Sequence, residues 1–191
     1  MAKDIITKLR DEMRKVQDSK RFEHTLGVTY TSACLAMCYN ENIQDAEIAG
    51  LLHDCAKCLP NEKKIHICKK NHVEINYAES KNPFLLHAKT GAILAEKEYG
   101  ITNQNILNAV RYHTTGRPGM SLLEKIVFIA DYIEPGRNHS VYLPEIRKMA
   151  FIDLDAALKR ILSDTLEHLK TSENEIDPMT RETYEYYCHE K

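Results

Sequence analysis

Six side chains of metal-ligating type stand out in this 191-residue chain because they lie in five separate apolar segments: His24, the adjacent pair His53-Asp54, His87, His113 and Asp131. His53 and Asp54 close the run Ile48-Ala49-Gly50-Leu51-Leu52, with Lys57 three residues on. Imidazole plus carboxylate without thiolate favours Fe²⁺, Mn²⁺, Zn²⁺ or Mg²⁺ over Cu(I) or an iron–sulfur cluster. Two ions would need a bridging carboxylate, for which Asp54 is the natural choice. A bound ion of this kind lowers the pKa of its water towards ~7 and neutralises charge on a phosphoryl oxygen. The pattern therefore reads as a metal-dependent phosphohydrolase. The wide gaps from one candidate to the next suit one ligand per helix, with helices converging on a point, and not a local clip.

A histidine on a partly apolar face is more often a satisfied structural residue than a ligand. That description fits His66, His72, His139, His168 and His189, whose surroundings are strongly polar. It fits His24, His87 and His113 less well. Asp131 follows Ile126-Val127-Phe128-Ile129-Ala130, and a buried carboxylate needs a partner. A metal is one solution and a helix cap another, so on spacing alone both readings stand.

The elements that must position these residues read as helices almost throughout. Apolar residues recur at helical spacing over 3–17 (Ile5, Ile6, Leu9, Met13), over 21–39 (Phe22, Leu26, Tyr30, Ala33, Met37) and over 45–55 (Ile48, Leu51, Leu52, Cys55), with Pro60 beyond. Short helices are expected near 61–70 and after Pro83, and longer ones over 85–99, stopped by Gly100, and over 102–113. Thr114–Gly119 reads as a loop with glycine for close approach to a phosphate, though it is not a P-loop. Ser121 with Glu124 forms a capping box for a helix that reaches Asp131 and stops near Pro135-Gly136. A long helix over 153–170 precedes a polar tail from Thr171. Helices joined by short loops make an all-α bundle.

Length suits one domain with a proper core. Net charge is −2 with no long basic run, which argues against nucleic-acid binding. No apolar run approaches the ~20 residues of a membrane span, and the N-terminus lacks signal-peptide features. These features place the protein in the cytoplasm, without a membrane or nucleic-acid partner; oligomerisation is left open. The six cysteines do not fit a disulfide framework. Cys34 and Cys38 are expected to face the core. Cys55-x-x-Cys58 has the form of a zinc half-site or redox pair, but no second pair completes a four-cysteine site.

Four stretches carry a resemblance: Arg21-Phe22-Glu23-His24-Thr25-Leu26-Gly27-Val28, Leu51-Leu52-His53-Asp54-Cys55-Ala56-Lys57, Ala109-Val110-Arg111-Tyr112-His113-Thr114-Thr115-Gly116 and Ala130-Asp131-Tyr132-Ile133-Glu134-Pro135-Gly136-Arg137. Over about 20–180 the chain resembles the HD-domain phosphohydrolase superfamily, and within it the YqeK-type symmetrical bis(5'-nucleosyl)-tetraphosphatases of bacteria. The resemblance implies a single all-α HD domain over 1–191, with a core over about 20–135 and a C-terminal helix and tail over about 141–191. It implies an iron centre of one or two ions (manganese, magnesium or zinc being alternatives) and symmetrical hydrolysis of diadenosine tetraphosphate to two ADP. By position, His24, His53, Asp54 and Asp131 match the primary metal ligands, and His87 and His113 match a pair serving a second metal or the substrate phosphates. Thr114, Arg137 and the tail residues Asp177, Thr180 and Arg181 resemble nucleotide-contacting positions.

The expected catalytic set is Asp54, Lys57, His87 and His113. His24, Asp54, Lys57, His87, His113, Thr114, Asp131, Arg137, Asp177, Thr180 and Arg181 are expected around a dinucleoside polyphosphate or ADP-like nucleotide. A tetraphosphate bridge carries about four negative charges, which Lys57, Arg117, Arg137 and Arg181 are placed to neutralise. Rivals are another HD-type enzyme (a nucleotidase, an alarmone hydrolase or a cyclic-dinucleotide phosphodiesterase, whose Gly-Tyr-Pro signature is absent here), a non-catalytic nucleotide sensor, and a plain helical interaction module with no metal.

Overall fold

The computed structural model describes residues 2–171 and 175–189. Among them there are eleven α-helices, one short 3₁₀ helix and no strand. α1 (Ala2–Val16) buries Leu9 and Met13. Asp18 then caps α2 (Ser19–Tyr39) by accepting from Arg21 N–H. Asn42 does the same for α3 (Ile43–Leu52), a helix whose last seven residues are nearly all buried. The helices α4 (Asn61–Lys70) and α5 (Tyr77–Lys81) and the 3₁₀ helix Pro83–Leu86 lead to α6 (His87–Lys97). After α7 (Gln104–Tyr112), the expected Ser121–Glu124 capping box starts α8 (Leu122–Ile133).

α2 packs against α3 and α8, and α7 lies against α3, α6 and α8. These five helices form the framework of the site. α9 (Leu143–Ala150), α10 (Leu154–Lys170) and α11 (Pro178–Cys188) close the other end, with α10 against α8, α9 and α11. The core runs from Leu9 and Met13 through Ile126 and Ile129 to Ile161 and Tyr187. No helix among the described residues is long and apolar enough to cross a membrane.

The sequence pattern misplaces the inner face of α2. Phe22 and Ala33 are buried as expected, but Tyr30 and Met37 are more than half exposed, at 52 % and 59 %. The buried face is instead Thr25, Val28, Thr29, Ser32, Leu35 and Ala36. The reason is a close crossing with α3: a Cβ on Gly50 would lie 2.8 Å from Thr29 Cα. Such an approach needs small residues on both helices, and a ranking by hydrophobicity passes over threonine and serine. The same rotation turns Cys34 and Cys38 outwards, so both are exposed and not core-facing.

Three helices were absent from the sequence pattern. α5 is one short turn held by an Asn76–Glu79 capping box. α9 buries Leu143, Ile146 and Ala150 behind Pro144. α11 lies in the stretch expected to be a polar tail, starts at Pro178 behind the Asp177 cap, and buries Thr180, Thr183 and Tyr187. The segment expected as one helix from Leu85 divides at His87 into the 3₁₀ turn and α6.

A candidate metal centre

Five helices deliver six donors to one point. His24 lies within α2, His53 caps the C-terminus of α3 and Asp54 follows it. His87 opens α6, His113 caps α7, and Asp131 sits in the last turn of α8. His53, Asp54, His87 and His113 are almost wholly buried.

Three of the histidines are set by one local device. His53 Nδ1 donates to Gly50 O at 2.7 Å, His87 Nδ1 to Phe84 O at 2.8 Å and His113 Nδ1 to Val110 O at 2.7 Å. Each ring folds back at a helix boundary onto the carbonyl three residues earlier, two of these being carbonyls at a helix C-terminus that lack an onward intrahelical partner. His24 differs: its Nδ1 lies 3.0 Å from Glu134 Oε1. Since every Nδ1 has an acceptor, the proton is assigned there, and every Nε2 is left with its lone pair.

Those lone pairs converge. His24 Nε2 lies 3.3 Å from His53 Nε2, and His87 Nε2 lies 3.2 Å from His113 Nε2. Two acceptors so close, with no proton between them, repel unless a cation lies between. The carboxylate of Asp54 stands in the middle. Its Oδ2 is 3.5 Å from His53 Nε2 and 3.9 Å from His24 Nε2, and its Oδ1 is 3.3 Å from His87 Nε2 and 3.5 Å from His113 Nε2. Oδ1 is buried without a hydrogen-bond partner. Asp131 Oδ1 completes the first group, 3.0 Å from His24 Nε2. The donors thus form two clusters, His24–His53–Asp131 and Asp54–His87–His113, with the atoms of each within 4.8 Å of one another. Converging acceptors and an orphaned carboxylate oxygen are what a metal ion would satisfy.

Burial works to raise the Asp54 carboxyl, but the surrounding imidazoles of His53, His113 and His87 outweigh it and hold the group well below the usual carboxylate range. Burial likewise opposes ionisation of Asp131, and its contacts with His24, His53 and Arg137 outweigh burial and hold the carboxyl well below the usual range. Burial drives His87 far towards its neutral form. Both carboxylates as anions and His87 as a free base are the ligand states a metal needs.

Three cations ring the cluster. Lys57 Nζ lies 3.0 Å from His87 Nε2 and 3.8 Å from Asp54 Oδ1, over the Phe84 ring at 4.2 Å. Burial lowers its pKa, against the pull of Asp54 and Asp131. Arg137 bonds the Asp131 carboxylate and backbone carbonyl and reaches to 3.3 Å from His24 Nε2. Arg21, which the sequence pattern did not single out, places Nη1 2.7 Å from Asp54 Oδ2. Its signal was its spacing, one helical turn before His24. Glu134 was also missed, although it stands one turn after Asp131. Gln17 holds the backbone carbonyl of Asp54 at 3.2 Å.

The remaining expected residues divide. Thr114 Oγ1 lies 3.2 Å from His87 Nε2. Asp177 caps α11, accepts from Asn76 Nδ2 at 2.9 Å, and lines a cavity of about 390 Å³ that Thr114 also lines. Thr180 is buried, and Arg181 opens into a different recess with Leu166, Lys170 and Tyr184. Arg117 is not available to phosphates: its guanidinium takes both oxygens of buried Glu124, at 2.6 and 2.8 Å. Cys55 is buried and bonds Gly91 O, while Cys58 is exposed beside Asp18. On the open side, a basin of about 740 Å³ is lined by Arg21, His24, Tyr30, Glu134 and Arg137. A cavity of about 230 Å³ between His113, Thr114, Asp131 and Arg137 adjoins it.

Comparison with known proteins bears on the same residues. The HD domain family model matches residues 21–136, a span that contains all six donors. The chain belongs to the HD-domain family. Three relatives named symmetrical bis(5'-nucleosyl)-tetraphosphatase match most of both chains. The Bacillus subtilis protein is 40 % identical over 87 % of this chain and 88 % of its own. Those of Halalkalibacterium halodurans and Staphylococcus aureus are 41 % and 36 % identical, over 86 % and 88 % of this chain and 87 % of each of theirs. Among solved structures, an HD superfamily hydrolase from Clostridium acetobutylicum, described as involved in NAD metabolism, superposes with a TM-score of 0.92 at 44 % identity and covers 97 % of both chains. The all-α fold is therefore that of an HD hydrolase, and the His/Asp cluster lies within the part the family shares.

Proposed function

We propose that this HD-family protein hydrolyses diadenosine tetraphosphate symmetrically to two ADP. The observation that carries the reading is the gathering of five further donors around the Asp54 carboxylate, in a chain whose relatives at 36–41 % identity bear that activity in their names. His24, His53, Asp131 and Asp54 Oδ2 would hold one ion, and Asp54 Oδ1, His87 and His113 a second. The four imidazoles and two carboxylates suit iron, which we propose as the resident metal; zinc also suits imidazole, whereas manganese and magnesium, the remaining alternatives, lean more on oxygen ligands. When bound, such ions supply an acidified water and withdraw charge from phosphoryl oxygens.

The chain's own residues account for the rest. Lys57, Arg21 and Arg137 set three positive charges around the cluster, placed to hold the inner phosphates and to stabilise charge that grows on the phosphoryl group under attack. Arg137 presents a planar fork suited to two phosphate oxygens, and Lys57 a single compact charge from a partly dry site. Water attacks one of the two inner phosphorus atoms, the central P–O–P bridge breaks, and ADP leaves from each side. The basin beside Arg21 and the cavities beside Thr114 leave room for the two nucleosides. Thr114 and Asp177 are proposed to contact one of them, and Thr180 to support that wall. Arg181, on its separate recess, is proposed to act only by attracting the polyanion.

The test is to incubate protein purified anaerobically with diadenosine tetraphosphate and separate the products. ADP alone is expected. ATP with AMP would overturn the symmetrical cleavage. Tight nucleotide binding without turnover would transfer the site to a sensor, and turnover of mononucleotides or alarmones alone would transfer it to another HD-type activity.

A further inference from the structure

The His24 imidazole is held unlike the other three. His53, His87 and His113 donate Nδ1–H to neutral backbone carbonyls, whereas His24 meets the carboxylate of Glu134 at 3.0 Å. Glu134 is 4 % exposed. It is the C-cap residue of α8, a position that needs no buried charge. Its Oε2 accepts Gly136 N–H at 2.6 Å, and its nearest guanidinium contact is Arg137 Nε at 4.0 Å from Oε1. Burying a carboxylate with so little charge compensation costs stability, which leaves the His24 ring as the group it serves.

Two glycines from different elements make room for it. A Cβ on Gly27 of α2 would lie 2.5 Å from Glu134 Oε2, and one on Gly136 3.0 Å from the same oxygen. The loop is also pinned from behind. Arg147 of α9 donates to the carbonyls of Ile133, Glu134 and Arg137 at 2.8, 2.9 and 2.8 Å. Backbone, carboxylate and ring are thus fixed in series from α9 to His24. Among the described residues no carboxylate stands behind His87 or His113, whose Nδ1 atoms meet backbone carbonyls, and the Lys57 ammonium lies 3.0 Å from His87 Nε2 much as Arg137 lies 3.3 Å from His24 Nε2. With a cation facing each side, the carboxylates of Asp131 and Glu134 are what set the His24 side apart.

We propose that Glu134 is a positioning residue that, through His24, makes the His24–His53–Asp131 side the tighter of two unequal ion sites, with Gly27 and Gly136 as the gaps that admit its carboxylate. A carboxylate behind a ligating imidazole fixes its tautomer and raises its basicity, and loss of such partners typically costs about 10–100-fold in metal affinity. The two ions therefore load in order, first beside His24 and then beside Lys57. This inference rests on the metal reading of the cluster.

The test is a calorimetric titration of metal-free full-length protein with Mn²⁺, with the Mn²⁺ paramagnetic resonance signal followed in parallel. Wild type is expected to bind in two separated steps. His87→Ala should remove the weaker step and keep the tighter one. Glu134→Gln should weaken the tighter step by about 10–100-fold. Gly27→Ala, which keeps the carboxylate but displaces it, should do the same; a circular-dichroism melt establishes that each variant is folded. Two equal steps in wild type, or tight binding unchanged in both Glu134→Gln and Gly27→Ala, would overturn the inference while leaving the metal reading intact. No binding by folded wild type would overturn both.

Discussion

The two sides of the cluster are built from the same side-chain types and share Asp54, yet only one of them is backed by further carboxylates. Around His24 and His53 the added groups are the carboxylates of Asp131 and Glu134, with the guanidiniums of Arg137 and Arg21 beside them. Around His87 and His113 the added groups are the Lys57 ammonium and the Thr114 hydroxyl. Ligand identity therefore describes only half of each site. A carboxylate ligand and a carboxylate behind a ligating ring favour a resident cation, and a side that offers an ammonium and a hydroxyl instead favours the polyanionic substrate. On this reading one side holds an ion firmly and the other is completed as much by phosphate as by protein.

The comparison can be broken most severely at the shared residue. Asp54→Ala removes the carboxylate common to both sides, and we expect ion binding to be lost from both and hydrolysis to fall to background in a protein that still melts cooperatively. A metal-loaded, active variant would remove Asp54 from the account. Substitutions on one side should separate the two. His53→Ala is expected to cost the tighter ion and His113→Ala the weaker, each read as the stoichiometry of bound metal after dialysis. Lys57→Met should lower kcat/KM by about 10²-fold or more, the loss typical of a single charge-stabilising donor, with the weaker ion bound no less tightly than in wild type.

Arg117→Ala sharpens the contrast between arginines near the site. It strips the fork from buried Glu124, so the expected effect is a loss of about 1–3 kcal/mol of stability seen in urea melts, with kcat/KM unchanged. The smallest effect is expected from thiol alkylation. Cys34, Cys38 and Cys58 are exposed and should be labelled in the folded protein without loss of activity, while Cys68 is buried and Cys55 is both buried and has its thiol pushed far up by that burial, so both should resist. Rapid labelling of Cys55 together with Cys58 would revive the redox-pair reading.

What was legible in the sequence follows from the physics of each region. The six donors stood out because a polar residue inside an apolar segment needs a partner; α8 read easily because most of its inward positions are large and apolar, and α3 because Ile48, Leu51 and Leu52 mark its inner face. α2 was misread because it meets α3 at Gly50 through threonine, serine and alanine, so the more hydrophobic Tyr30 and Met37 marked the wrong face. α9 and α11 each bury only three residues among polar ones, and in α11 two of the three are threonines. Glu134 was hidden for a different reason. An acidic residue ahead of Pro-Gly reads as a solvated helix end, and only the folded chain shows Gly27, a hundred residues away in sequence, making space for it.

The most direct measurement is anomalous X-ray diffraction from crystals of the protein grown with Mn²⁺. Two anomalous peaks are predicted, one against each oxygen of Asp54, the first among His24, His53 and Asp131 and the second between His87 and His113. The peak beside His24 should persist when the metal concentration is lowered and the one beside Lys57 should fade first. No peak at Asp54, or ions only at other carboxylates, would contradict the account.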